Sequence, residues 1–168
     1  MKLRQTCFLK FAQGKMLFAK AGTVLVVLFA ALAGFAQTGA DDRAFSEAMT
    51  TAVGDVHCVS AAGRLSFPGT AALIRDARLL ISNDSAPVHL ASAMQTPVIE
   101  IYGATVPEFG FTPFGVPHRI VQREGLSCRP CGIHGGNVCP IGTFECMKSI
   151  TPRDVLAAAE ELLGQALM

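Results

Sequence analysis

Residues 79–94 read LLISNDSAPVHLASAM, and their order decides the fold. From Arg78 the run RLLIS is apolar without alternation, the pattern of a parallel strand buried on both faces. A short polar turn follows at residues 83–86, and Pro87 suits the first turn of a helix reaching Met94. A strand that passes through so short a turn into a helix puts Asn83, Asp84, Ser85 and His89 at the carboxyl edge of the sheet. Ligands of open α/β sheets bind along that edge.

The same grammar continues in both directions. Downstream, PVIEIY at 97–102 reads as a second strand and 118–122 as a weaker one, with a Gly- and Pro-rich loop between them. A cysteine-rich loop fills 127–147, after which Thr151 caps a last amphipathic helix with Pro152 at its first position. Upstream, Ser66 caps a helix reaching Asp76, residues 53–59 form a short strand, and 41–52 form a helix with Ala44, Phe45, Ala48 and Met49 on one face. Strands alternating with helices predict an α/β fold: a parallel sheet with helices on both faces.

Composition divides the chain at Ala40/Asp41. Residues 1–40 carry five basic side chains and no acidic one, whereas all 13 acidic residues lie from Asp41 onward. We therefore read 1–40 as a basic and apolar amino-terminal segment and 41–168 as the folded domain. Residues 21–40 contain no charge, and as a helix they would rise about 30 Å, enough to cross a bilayer. A signal- or anchor-like helix and a buried piece of an α/β domain both fit. The net charge of +1 offers no bulk attraction to nucleic acid, and none is expected as a partner. With 51% hydrophobic and 16% charged residues, the chain is too apolar for a disordered one.

Two constellations have chemistry to offer. In the 79–94 segment, the free N–H groups of the helix's first turn, about Ala86 to His89, would face the strand edge and, with the helix dipole, suit a phosphate or diphosphate. Ser85 and His89 can donate to phosphate or sugar oxygens, while Asp84 suits ordering the turn or accepting from a sugar hydroxyl. As bare pattern, an Asn-Asp-Ser helix cap without a ligand explains the same residues. The second constellation is Cys128-x2-Cys131-x7-Cys139-x6-Cys146, with His134 inside it. Four thiols could bind a structural zinc, although the second pair is wider than in an ordinary zinc ribbon. Metal ligation and free thiols both stay open, with disulfides disfavoured in the cytoplasm. Phe109, Phe111 and Phe114 are expected to pack under their loop, and His57 and His118 to be structural.

LISNDSAPVHLASAM followed by TPVIEIYGATVPEFGFTP resembles the signature of glycosyltransferase family 9, the lipopolysaccharide heptosyltransferases. The matching residues are Asp84, Ser85, Ala86, His89, Pro97, Tyr102, Gly103, Thr105 and Pro107, and Ala86 stands where glycine is commoner. The likeness extends through GRLSF at 63–67, the cysteine loop and the ITP-initiated helix. It implies a Rossmann-like parallel sheet with flanking helices, the C-terminal half of a GT-B glycosyltransferase. It implies donor binding by Asp84, Ser85, Ala86, His89, Gly103 and Thr105. The GADD of residues 39–42 resembles the family's loop near the nucleoside and adds Asp42, although acidic residues in a helix's first turn need no ligand to explain them.

The resemblance further implies an activated-sugar donor such as ADP-heptose, an acceptor on the lipopolysaccharide core or lipid A, and inverting transfer that requires no cofactor. The general base belongs to the family's N-terminal domain, so no catalytic residue is assigned to this chain. Such a protein works in the cytoplasm or at the cytoplasmic face of the inner membrane, with peripheral membrane contact; anchoring or export through residues 16–40 is the alternative. The chain has half a family member's length and no tryptophan for the expected Trp-Pro, and so reads as a truncated or rearranged frame. A nucleotide-sugar-binding remnant without activity, and a membrane-anchored α/β protein with a cysteine loop, are the competing functions. Residues 1–40 are expected to be a loosely packed helix and not a native export signal.

Overall fold

The computed structural model describes residues 25–27, 40–53, 60–136 and 138–165. Strands β1 (Leu25–Val27), β2 (Leu79–Asn83), β3 (Val98–Tyr102) and β4 (His118–Gln122) form one sheet in the order β1-β2-β3-β4. All three pairings are parallel, with Leu25 opposite Leu79, Leu80 opposite Val98, and Val98 opposite His118. The helices are α1 (Ala40–Val53), α2 (Phe67–Arg75), α3 (Ala86–Met94), the single turn α4 (Glu145–Lys148) and α5 (Pro152–Gln165).

Two cores explain why β2 and β3 are apolar without alternation. Leu79, Ile81, Ile99, Ile101 and Val121 project to one side, where they meet Val155, Ala159 and Leu162 of α5. Leu80 and Val98 project to the other, where they meet Ile74 of α2 with Val88 and Ala91 of α3. Every residue of β3 is buried, as expected for a strand covered on both faces. Each fully buried Leu or Ile contributes about 1.5–3 kcal/mol, so the two layers together hold the sheet edge rigid.

The caps follow from side-chain chemistry. The Ser66 hydroxyl accepts from the Gly69 N–H at 3.3 Å, starting α2 one residue before Phe67. Thr151 and Asp154 cap α5 reciprocally: the Asp154 carboxylate accepts from the Thr151 N–H at 2.7 Å and the Asp154 N–H donates to the Thr151 hydroxyl at 3.3 Å. Gln95 ends α3 in the left-handed region, at φ 60°, and Thr96 then donates its buried hydroxyl to the Ile74 carbonyl at 2.7 Å. That last bond ties the end of α2 to the start of β3.

Several expectations need revision. Within the apolar amino-terminal stretch, Leu25–Val27 is a strand of the sheet and not part of a helix, so β1 lies on the far side of the composition boundary at Ala40. The strand expected at 53–59 falls outside the described residues except for Val53, which ends α1. The turn α4 and a 3-10 turn at Pro107–Phe109 lie inside segments read as loop. Among the described residues, no helix is long and apolar enough to cross a membrane.

Candidate functional site

The turn after β2 sits at the carboxyl edge. The Asp84 N–H still donates to the Ile101 carbonyl at 3.3 Å, so the turn leaves the sheet beside β3. Ser85 is the N-cap of α3 in extended geometry, but its hydroxyl donates back to the Asn83 carbonyl at 3.0 Å and makes no bond to the helix. No side chain caps the first turn of α3, but Pro87 has no N–H and the Val88 N–H donates to the Ser85 carbonyl at 3.0 Å, so this helix end has fewer backbone donors for an anion than an ordinary one. Ala86 and His89 are exposed, and Asp84 and Ser85 half-buried.

Thr105 joins this turn to the loop after β3. Its hydroxyl donates to Asp84 Oδ2 at 2.6 Å, and Thr105 itself is buried. A bond to a carboxylate is roughly twice as strong as a neutral one, so Asp84 is fixed by Thr105 rather than free to swing outward. The loop is in turn clipped to the cysteine-rich segment. Arg129 Nη2 donates to the Thr105 carbonyl and, at 3.0 Å, to Gln122 Oε1, while Cys131 N–H donates to the Ala104 carbonyl at 2.9 Å.

Gly103 is also where the cysteine loop packs on the site. A Cβ built there would stand 2.9 Å from Met147 Cγ and closer still to its Sδ. The space a side chain would need is taken by α4 of the cysteine loop; the close approach is by Met147.

A second acid that bears on Asp84 was not singled out from the sequence. Glu100, in the middle of β3, has no exposed surface, and neither carboxyl oxygen has a hydrogen-bond partner. Burial, and after it the charge on Asp84, pushes its carboxyl up to about 8; the Tyr102 hydroxyl opposes this, though no aligned hydrogen bond joins the two. The Tyr102 hydroxyl, Asn83 Oδ1 and Arg129 Nε are likewise buried and unpartnered. An acidic residue inside the apolar run VIEIY was the available signal.

Of the two readings left open for the four cysteines, the structure describes free thiols. Cys128, Cys131 and Cys139 are half-buried and Cys146 buried, all four as free thiols. Among the described residues, no three His, Cys, Asp or Glu side chains are placed to hold an ion. Local bonds occupy two of the sulfurs: Cys131 Sγ donates to the Cys128 carbonyl at 3.3 Å, and Cys139 Sγ accepts from the Phe144 N–H at 3.4 Å. That N–H holds the Cys139 thiol below its ordinary range, whereas burial pushes Cys146 up.

Other residues divide clearly. His118 lies at the entrance of β4, away from the turn, with Nδ1 3.0 Å from the Val116 carbonyl, as a structural histidine would. Phe109 and Phe111 are half-buried, but Phe114 is 86% exposed and does not pack under its loop. Asp42 falls in α1, with its side chain outside what is described, and His57 lies outside the described residues.

Comparison with known proteins now adds to this geometry. The sequence model of glycosyltransferase family 9 (heptosyltransferase) matches residues 33–135. Lipopolysaccharide heptosyltransferase 3 of Escherichia coli is 52% identical over 44 residues, 26% of this chain and 13% of that protein. Lipooligosaccharide heptosyltransferase 2 of Haemophilus influenzae is 27% identical over 110 residues, 64% of this chain and 30% of that protein. The structure of E. coli ADP-heptose lps heptosyltransferase II matches with a TM-score of 0.62 at 24% identity, covering 86% of this chain and 38% of that one. A family 9 glycosyl transferase from Veillonella parvula matches with a TM-score of 0.63 at 22% identity, covering 84% and 37%. The chain thus spans well under half the length of the proteins it matches, and its fold is that of one Rossmann-like unit in a GT-B glycosyltransferase.

Proposed function

The chain belongs to glycosyltransferase family 9, and from that premise we propose that it is the donor-binding half of a heptosyltransferase-like enzyme. The donor is a nucleotide-activated sugar, ADP-heptose first among the candidates, and the acceptor a hydroxyl of the lipopolysaccharide core. The work is done at the cytoplasmic side of the membrane. The observation that carries the reading is the uncapped first turn of α3 at the strand edge, with Asp84 braced by Thr105 beside it.

In this reading the diphosphate lies against the α3 amino terminus, where backbone N–H groups and the helix dipole favour negative charge. Ser85 and His89 supply further donors. Asp84, already bonded to Thr105, accepts from a sugar hydroxyl through its remaining oxygen. Transfer moves the sugar from the diphosphate oxygen to the acceptor oxygen. The bond to the leaving diphosphate breaks as charge builds on it, and the same donors stabilise that charge more strongly than they stabilise the bound donor. The base that takes the acceptor proton is assigned to none of the residues named here. Gly103 contributes by seating Met147, and Asp42 contributes to the nucleoside pocket. The reading gives the cysteine loop no metal; the Cys131 and Cys139 sulfurs make local backbone bonds.

Titration calorimetry with ADP and ADP-heptose tests this. His89→Ala should weaken ADP binding by roughly tenfold, the loss of one hydrogen bond to a charged group, while His118→Ala leaves it unchanged. Equal losses in the two variants, or no nucleotide binding by the wild-type chain, would overturn the site assignment.

A further inference from the structure

Glu100 lies on the same side of β3 as Val98, by strand alternation, and is paired in register with Ser82 of β2 and Ile120 of β4. It is a fully buried acid with two orphaned oxygens, set among unpartnered polar atoms of β2 and β3. An apolar residue there would avoid the desolvation cost, so the group calls for a role. The ionisable groups bearing on it are Asp84 from the turn and Tyr102 from its own strand; Glu108 acts on Tyr102. The β4 residue opposite is Ile120, and Arg119 beside it is engaged with Glu161 of α5 on the other face. Helix α2 offers Arg75 and Asp76, exposed and paired with each other, and α3 offers His89 at its exposed first turn. Neither ion pair found among the described residues includes Glu100.

We propose that Glu100 is a positioning residue for the Asp84-Ser85-Ala86 turn and acts only as the neutral acid. While it keeps its proton, Asp84 holds its bond to Thr105 without a second negative charge beneath the turn. When the proton passes to solvent, repulsion between the two carboxylates loosens that bond and lowers the turn's affinity for an anion. The coupling of Glu100 to the turn stands on its place opposite Ser82, whose hydroxyl donates to the Asn83 carbonyl at 3.0 Å and lies 3.3 Å from the Ser85 hydroxyl, and on the Asp84 N–H bonded to the carbonyl of the next residue, Ile101, at 3.3 Å; its consequence for a nucleotide rests on the donor-site reading above.

The chain carries its own reporter. Tyr102 is its single tyrosine and there is no tryptophan, so tyrosine fluorescence reports on a group two residues from Glu100. The experiment follows that fluorescence, and the backbone amide signals of Asp84, Ser85 and Ala86 in the 15N-labelled full chain, across neutral to alkaline pH. In the wild type both should change together with a midpoint near the value of about 8 given by burial. In Glu100→Gln, a neutral isostere, both should be flat. In Asp84→Asn the fluorescence midpoint should fall, because one of the charges opposing ionisation is gone. ADP affinity should drop roughly tenfold above the midpoint in the wild type, the effect of one added charge at several ångströms, and stay level in Glu100→Gln. Fluorescence that titrates while the turn amides stay still would overturn the positioning role. Amides that titrate equally in Glu100→Gln, or no titration at all, would overturn the assignment to Glu100. If ADP binds at no pH while the amides and fluorescence titrate as described, the donor-site reading fails and the coupling stands.

Discussion

Replacing Gly103 by alanine adds one methyl group at the point where the cysteine loop meets the site. The new Cβ would lie 2.9 Å from Met147 Cγ and closer to Sδ, against the 3.5–4.0 Å of ordinary contact, and the third nearest atom, at 4.0 Å, is Met147 Cε. The backbone at Gly103 is not in the left-handed region, so the strain comes from packing alone. Met147 is half-buried and must rotate away, taking part of α4 with it. Overpacking of this kind costs about 1–3 kcal/mol. Met147→Ala alone should cost about 1–2 kcal/mol, the lower part of the range for methionine truncation because the side chain is only half-buried. In the Met147→Ala background the three nearest atoms are gone, and the Gly103→Ala change should cost less than about 0.5 kcal/mol. The two changes should therefore couple by at least about 1 kcal/mol in a double-mutant cycle, measured by urea unfolding with unchanged slopes. Additive effects, within about 0.5 kcal/mol, would show that the loop does not seat on Gly103 through Met147 and would remove the mechanical link between cysteine loop and donor turn.

Two further expectations concern the same edge. Glu100 has a folded-state value of about 8 against an ordinary 4.5, so its contribution to stability is fully present below 4.5 and is lost as pH rises to about 8. The loss is at most about 5 kcal/mol, and Glu100→Gln should abolish that slope in thermal unfolding across pH; a parallel slope in the variant contradicts the burial argument. Thr105→Val should cost about 1.5–3 kcal/mol through the lost bond to the Asp84 carboxylate, with Thr105→Ser recovering most of it; no difference between the valine and serine variants in urea unfolding would count against that bond.

Much of this arrangement was legible in the residues themselves. The Ser66 cap, the Thr151-Pro152 start of α5, and strands β2 to β4 came within a residue or two of their bounds, because each is set by a local cap or by a run buried on both faces. Asp84, Ser85 and Thr105 could be brought to one place because a strand-turn-helix has few geometries. What escaped was decided at longer range. The stretch at 23–36 is apolar enough for a membrane helix, and only pairing with Leu79–Ile81 makes Leu25–Val27 a strand. The turn α4 has just four residues, and its place depends on Met147 finding the gap over Gly103. Glu100 is one polar residue in an apolar strand; its burial and unpartnered oxygens depend on what packs over that face of the sheet, which local sequence does not reveal. The Arg129 clip joins residues 24 apart and has no sequence pattern that announces it. The cysteine spacing left both an ion and free thiols open because ligand sets are read by interval, whereas the backbone bonds that engage Cys131 and Cys139 are set by loop conformation.

The strand order β1-β2-β3-β4 also governs how such a site can change over time. Among the described residues, β2, β3 and β4 follow one another both in the sheet and in the chain, so the loops leaving β2 and β3 at the carboxyl edge stand side by side in the order they are synthesised. Each loop can be lengthened, shortened or rewritten as one contiguous block, with the hydrogen-bonded ladder on either side left intact. The segment from residue 123 to residue 151 shows how far this can go: it runs 29 residues between β4 and α5 and reaches back to touch the loop after β3 without entering the sheet. A rim built this way is modular. Its recognition properties can drift loop by loop while the scaffold that aims them keeps its register.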